Sequence, residues 1–172
     1  MTRYLVVAYQ TACSQELVDC LQGLARTSAG CEFTLLVPAT PVRHLLSWEE
    51  GAAETLARHR ADEAAQVLGA AGLCVAGAHV GQASPLAAIE RRLATDELPY
   101  DGIVIATFPR RLSRWLERDL PRRAEQRFGL PTVHVVASPH TAGAGASNAD
   151  AEAAPPDEGL GLAERRFYEA GA

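Results

Sequence analysis

The sequence predicts a three-layer α/β/α domain on a five-stranded parallel sheet. Three observations predict it. Short apolar runs alternate with segments of helical spacing, the connections between them are short, and Ser, Asp, Gly and Pro stand where helices would begin and end. The resulting βαβαβαβαβ order needs crossover helices, and these cover both faces of a parallel sheet.

Each element has its own warrant. Arg3–Ala8 (RYLVVA) is apolar without alternation, the pattern of a strand covered on both faces. Ser14–Arg26 follows with Leu17, Cys20, Leu21 and Leu24 at helical spacing, and Ser14 can cap it. Glu32–Val37 (EFTLLV) is a second buried strand, stopped by Pro38 and Pro41. Ser47 with Glu50 three residues on forms a capping box for a long helix reaching Ala71, with Leu56, Val67 and Leu68 on its buried stripe and Gly72 after its end. Leu73–Val80 is the third strand. Ser84 followed by Pro85 opens a helix to Ala94. Asp101–Ala106 (DGIVIA) is the fourth strand. Asp119-Leu120-Pro121 caps a short helix to Phe128, Gly129 ends it, and Thr132–Ala137 (TVHVVA) is the fifth strand.

Composition bounds the function classes. The chain has 172 residues, 48% hydrophobic and 22% charged, which is globular. Residues 1–138 form the predicted domain. Residues 139–172 read as a low-complexity tail: Gly143–Pro156 holds no large apolar residue and is expected to be disordered, and Gly161–Ala170 is expected to stay loose. A net charge of −5 argues against general nucleic-acid binding. Arg110–Arg127 runs against that average, with seven arginines against Glu117, Asp119 and Glu125, a local charge of +4. All 16 basic residues are Arg, so the cluster partly reflects overall residue usage.

The four cysteines, Cys13, Cys20, Cys31 and Cys74, form no CxxC pair, no disulfide framework and no zinc spacing, so reduced thiols are expected. The N-terminal apolar run is too short for a signal peptide, and no run approaches the ~20 residues that span a bilayer. A cytoplasmic location is therefore expected. His44, His59, His79, His134 and His140 include no i,i+3 or i,i+4 pair, so no metal is expected. No GxSxG, Walker A or GxGxxG motif is present, so the chain is not expected to be an enzyme.

Three local sequences, YLVVAYQTACSQELVDCL, HVGQASPLAAI and YDGIVIATFPRRLSRWLERDLPRRAEQRFGLPTVHVV, taken in their order and spacing, resemble the universal stress protein family across Met1–Ser138. The resemblance implies the adenine nucleotide alpha hydrolase-like sheet order 3-2-1-4-5 and a homodimer paired through the last strand. It also implies an ATP site signed by Gly-x2-Gly-x9-Gly-Ser/Thr after the fourth strand. The glycines let backbone approach phosphate, and the last pair offers free N–H groups at a helix N-terminus.

Here the signature is degenerate. Ala106 matches the first glycine and Pro109 the second; allowing a one-residue deletion, Arg118 matches the third and Asp119 the Ser/Thr. Pro109 has no N–H to give. Asp119, as N-cap, would turn its own carboxylate on the amides a phosphate needs. Losing one to three such bonds at ~1.5–3 kcal/mol each would take a micromolar site toward millimolar. At the end of the first strand, after Ala8, Tyr9 replaces the family's ribose- or adenine-contacting Asp, and its ring suits the adenine slot. Thr11 is a fair substitute for Ser, and Val37 suits an adenine pocket. The expected role is a non-catalytic stress-response module that binds ATP weakly or not at all. One alternative holds ATP or another phosphorylated ligand with Arg110, Arg111, Arg114 and Arg118. Another uses the Arg110–Arg127 face, with Trp115, for a protein or nucleic acid.

Overall fold

The computed structural model describes residues 1–28, 30–39, 51–109 and 119–138. Within them the chain runs β1 (Thr2–Val7), α1 (Gln15–Thr27), β2 (Cys31–Pro38), α2 (Ala52–Ala70), β3 (Val75–Gly81), α3 (Pro85–Thr95), β4 (Gly102–Thr107), α4 (Leu120–Phe128) and β5 (Thr132–Val136). The strands form one parallel sheet in the order β3-β2-β1-β4-β5, as expected. The order reverses between β1 and β4. At such a switch point the crossing loops diverge and leave a crevice beyond the carboxyl ends of the strands.

Side chains alternate across the sheet and build two cores. Val6, Ala8, Phe33, Leu35, Val37, Val104, Ala106 and Val135 meet α1 and α2 on one face. Leu5, Val7, Leu36, Ile103 and Ile105 meet α3 and α4 on the other. Both faces of the central strands are therefore covered, which is why they read as unbroken apolar runs.

Three local readings are corrected. First, the buried stripe of α2 is Ala57, Ala61, Ala64 and Leu68, whereas Val67 is 36% exposed. The contact is made by alanines, so a search for large apolar residues misplaces it. Second, Ser84 precedes α3 but makes no side-chain cap bond; Pro85, with its preset φ, starts this helix. Third, Pro38 ends β2 from inside the strand, paired with Gly81. Its missing N–H falls beyond Val7, where β1 has already ended. Ser14, by contrast, accepts the Leu17 N–H at 3.3 Å as expected. Gly129 takes the left-handed backbone, φ 65, and closes α4 by donating to the Glu125 carbonyl at 2.9 Å. The Ser47–Glu50 capping box, the stretch Arg110 to Arg118 and the tail from residue 139 lie outside the described residues.

Burial lowers the pKa of both His79 and His134 below the ordinary 6.5; the Arg92 charge adds to this at His79, while Asp96 and Asp119 oppose it at their respective partners. The unfolded chain then takes up these protons at a higher pH than the folded one. Their contribution is complete above about pH 6.5 and is lost as pH falls from there toward the depressed folded values. Urea midpoints compared at about pH 7.5 and about pH 5.5 should fall less in His79→Gln and His134→Gln than in the parent chain.

Candidate functional site

The carboxyl ends of β1, β2 and β4 carry Ala8, Val37 and Ala106, all fully buried against α1 and α2. The chain turns sharply after Ala8, with Ala12 N–H donating to the Tyr9 carbonyl and Ser14 N–H to that of Thr11. This turn places the Thr11 hydroxyl beneath β4, where it donates to the Ala106 carbonyl at 2.9 Å. Thr11 is buried, so its hydroxyl ties the turn to β4 and is not presented to a ligand.

Tyr9 sits at the mouth of this corner. The Arg60 guanidinium of α2 lies over its ring, 4.8 Å from the centroid. The Tyr9 hydroxyl and Arg60 Nε are both buried and find no hydrogen-bond partner among the described residues. Burial raises the Tyr9 pKa and the Arg60 charge opposes the rise. The neighbouring Cys13 thiol is pushed up to about 11, by burial first and the Glu63 charge second, with Arg60 opposing. It is a thiol at neutral pH and not a nucleophile. The sequence reading missed Arg60. The signal for it is the alanine stripe of α2, which puts residue 60 at the stripe's border, facing the end of β1.

Beyond β4 the geometry differs. Asp119 precedes α4 with φ 49 and ψ 45, and is the one non-glycine residue with positive φ among the described residues. Its carboxylate makes no cap bond, contrary to the sequence expectation. The left-handed backbone turns the side chain away from the first turn, and only its carbonyl engages, accepting from Arg123 N–H at 3.0 Å. Asp119, Pro109, Pro121, Arg122, His134 and Val136 border an open groove of about 500 Å³. Beside it, Thr107 Oγ1 and His134 Nε2 are 2.9 Å apart, and Thr107 is 2% exposed.

The structure thus gathers Ala8, Tyr9, Thr11, Val37 and Ala106 on the α1–α2 face, and Pro109 with Asp119 on the α4 side. Arg110, Arg111, Arg114, Trp115 and Arg118 fall outside the described residues. Within α4, Arg127 is held by both oxygens of Glu90 at 2.9 and 2.8 Å. Arg122 and Arg123 are exposed and make no ion pair among the described residues. No group of three His, Cys, Asp or Glu side chains is placed to hold a metal among the described residues. None of the described helices is long and apolar enough to cross a membrane.

No family model matches the sequence, and no curated protein matches it. Solved structures do. A universal stress protein from Archaeoglobus fulgidus superposes with a TM-score of 0.53 at 16% identity, over 78% of this chain and 93% of that one. A protein of the universal stress protein family from Burkholderia pseudomallei gives 0.52 at 15% identity, over 79% and 96%. The chain has the fold of the universal stress proteins.

Proposed function

We propose that this chain is a divergent universal stress protein acting as a non-catalytic regulatory module of a stress response, and that its nucleotide cleft is degenerate. The observation that carries the reading is the left-handed backbone at Asp119. A position with φ 49 favours glycine by its sterics, with Asp and Asn the residues that otherwise adopt it. Counting ten residues on from Pro109 reaches Asp119 with no deletion, so Asp119 and not Arg118 stands in for the third signature glycine. Leu120, buried in the core, then takes the place of the Ser/Thr hydroxyl. An aspartate at this point sets a negative charge beside the α4 N-terminus, where a phosphate would need the helix dipole and the amides to itself.

Tyr9 supports the same reading from the other end, since its ring under Arg60 occupies the corner where the resemblance puts a nucleobase. The nearest approach to a nucleophile and base among the described residues is Thr107 with His134, and burial of the threonine hydroxyl supports a structural role. Homodimerisation through β5 belongs to the proposal as well. Its support is an edge strand whose Val136 side chain is 47% exposed. A second reading, an anionic ligand held by arginines, draws on Arg122 beside the groove at Asp119.

Nucleotide content separates the two readings. Freshly purified protein, denatured and analysed by ion-exchange chromatography, is expected to release no stoichiometric nucleotide. Release of about one ATP per chain would overturn the degenerate cleft and send the phosphate contacts to the arginines.

A further inference from the structure

The sheet has a second edge, and its chemistry differs from that of β5. Val75–Gly81 contains no Asp, Glu, Lys, Arg or Pro, the residues that ordinarily guard an edge strand. Its one irregularity of register lies opposite Phe33 and Thr34, at the start of the strand. The Gly81 carbonyl accepts from Ala39 N–H at 2.9 Å, so Gly81 faces β2. By the alternation of a parallel ladder, His79 and Gly77 face β2 too, and Ala76, Ala78 and Val80 turn their N–H and C=O groups outward. No partner meets those groups among the described residues.

A groove of about 690 Å³ runs along this edge, walled by α2 on one side and α3 on the other. The walls carry opposite unpaired charges. On α2, Glu54 and Arg58 close on each other at 3.0 Å, leaving Asp62. On α3, Arg92 is engaged by Asp96, leaving Arg91. Asp62 and Arg91 are both exposed and make no ion pair among the described residues. Along the edge the groove is lined by the small residues Ala78 and Gly81, with His79 and Val80 between them.

We propose that the outer edge of β3 docks an extended strand of a partner protein, with acidic side chains on the row facing Arg91 and basic side chains on the row facing Asp62. Strand addition supplies affinity through backbone pairing at Ala76, Ala78 and Val80. Alternation of side chains delivers the two charge rows to the two walls. A second copy of this chain fits worse. A two-fold that pairs β3 antiparallel with itself keeps each face of the sheet on its own side. It therefore brings α3 against α3 and α2 against α2, facing like walls.

The test uses the full chain and a synthetic peptide, Glu-Lys-Val-Val-Glu-Lys with blocked ends, followed by amide chemical shifts. The expected result is a saturable shift centred on the amides of Ala76, Ala78 and Val80. Arg91→Glu, an exposed change that should leave stability alone, is expected to weaken it about tenfold. Lys-Lys-Val-Val-Lys-Lys is expected to give no shift. Ala78→Pro, which removes an outward donor and leaves the β2 ladder intact, should abolish the shift while the urea midpoint moves little. The proposal is overturned if the peptide shifts residues elsewhere, or if Arg91→Glu binds as well as the parent. It is also overturned if the three amides shift with protein concentration alone, which would assign the edge to a second copy.

Discussion

Asp119→Gly is expected to stabilise the fold by about 1 kcal/mol and to raise affinity for magnesium-ATP at least tenfold. The stability gain follows from the backbone: a left-handed L-residue costs ~1–3 kcal/mol, aspartate sits at the low end of that range, and glycine adopts φ 49 freely. The affinity gain follows from charge. Removing the carboxylate leaves the α4 N-terminus, whose N–H groups it does not cap, open to a phosphate. A tenfold change is ~1.4 kcal/mol, within reach of one repulsion removed at a helix end. Urea denaturation reads the first quantity and calorimetry the second. A destabilised variant would mean that Asp119 is held by interactions the strain argument omits.

Gly81→Ala is expected to lower stability by about 2 kcal/mol, the scale of overpacking a closed contact. A Cβ there would stand 2.6 Å from the Ala88 Cβ and 3.0 Å from the Leu36 Cδ1. The Leu36 methyl can swing aside, but the Ala88 Cβ is fixed to the helix backbone, so α3 has to move off β3. Gly23 makes the internal control. It lies inside α1 with nothing within 4 Å of an added Cβ, so Gly23→Ala is expected to stabilise by about 0.5–1 kcal/mol. The two glycine-to-alanine changes therefore have opposite signs. If Gly81→Ala were neutral in a chemical melt, α3 would not be packed as closely on the sheet as these distances state.

Much of the fold was legible because both of its signals are local. Short unbroken apolar runs such as LVVA and GIVIA, rich in β-branched residues, read as strands covered twice, and Ser14, Pro85 and Gly129 punctuate the helices between them. The strand order is not local, and it came from the resemblance. What the sequence hid has physical reasons. The alanine face of α2 carries little hydropathy contrast, so Val67 looked buried when Ala57, Ala61 and Ala64 hold the contact. Arg60 was invisible because its stacking partner, Tyr9, is remote in sequence and meets it only across the end of the sheet. The match of Arg118 to the third signature position rests on a one-residue deletion that the spacing does not need, since the undeleted count already reaches Asp119. The positive φ of Asp119 agrees with that count. Asp119 also illustrates how a residue with the right chemistry for a cap can fail to cap, since a left-handed N-cap aims its carboxylate elsewhere.

The most direct test of the proposed degenerate cleft is a calorimetric titration of the unmodified chain with magnesium-ATP. The account predicts no binding heat at nucleotide concentrations below about 1 mM, because Pro109 has no amide to offer, Asp119 sets a charge against the phosphate and the Tyr9 ring is stacked under Arg60. A dissociation constant in the low micromolar range would contradict it.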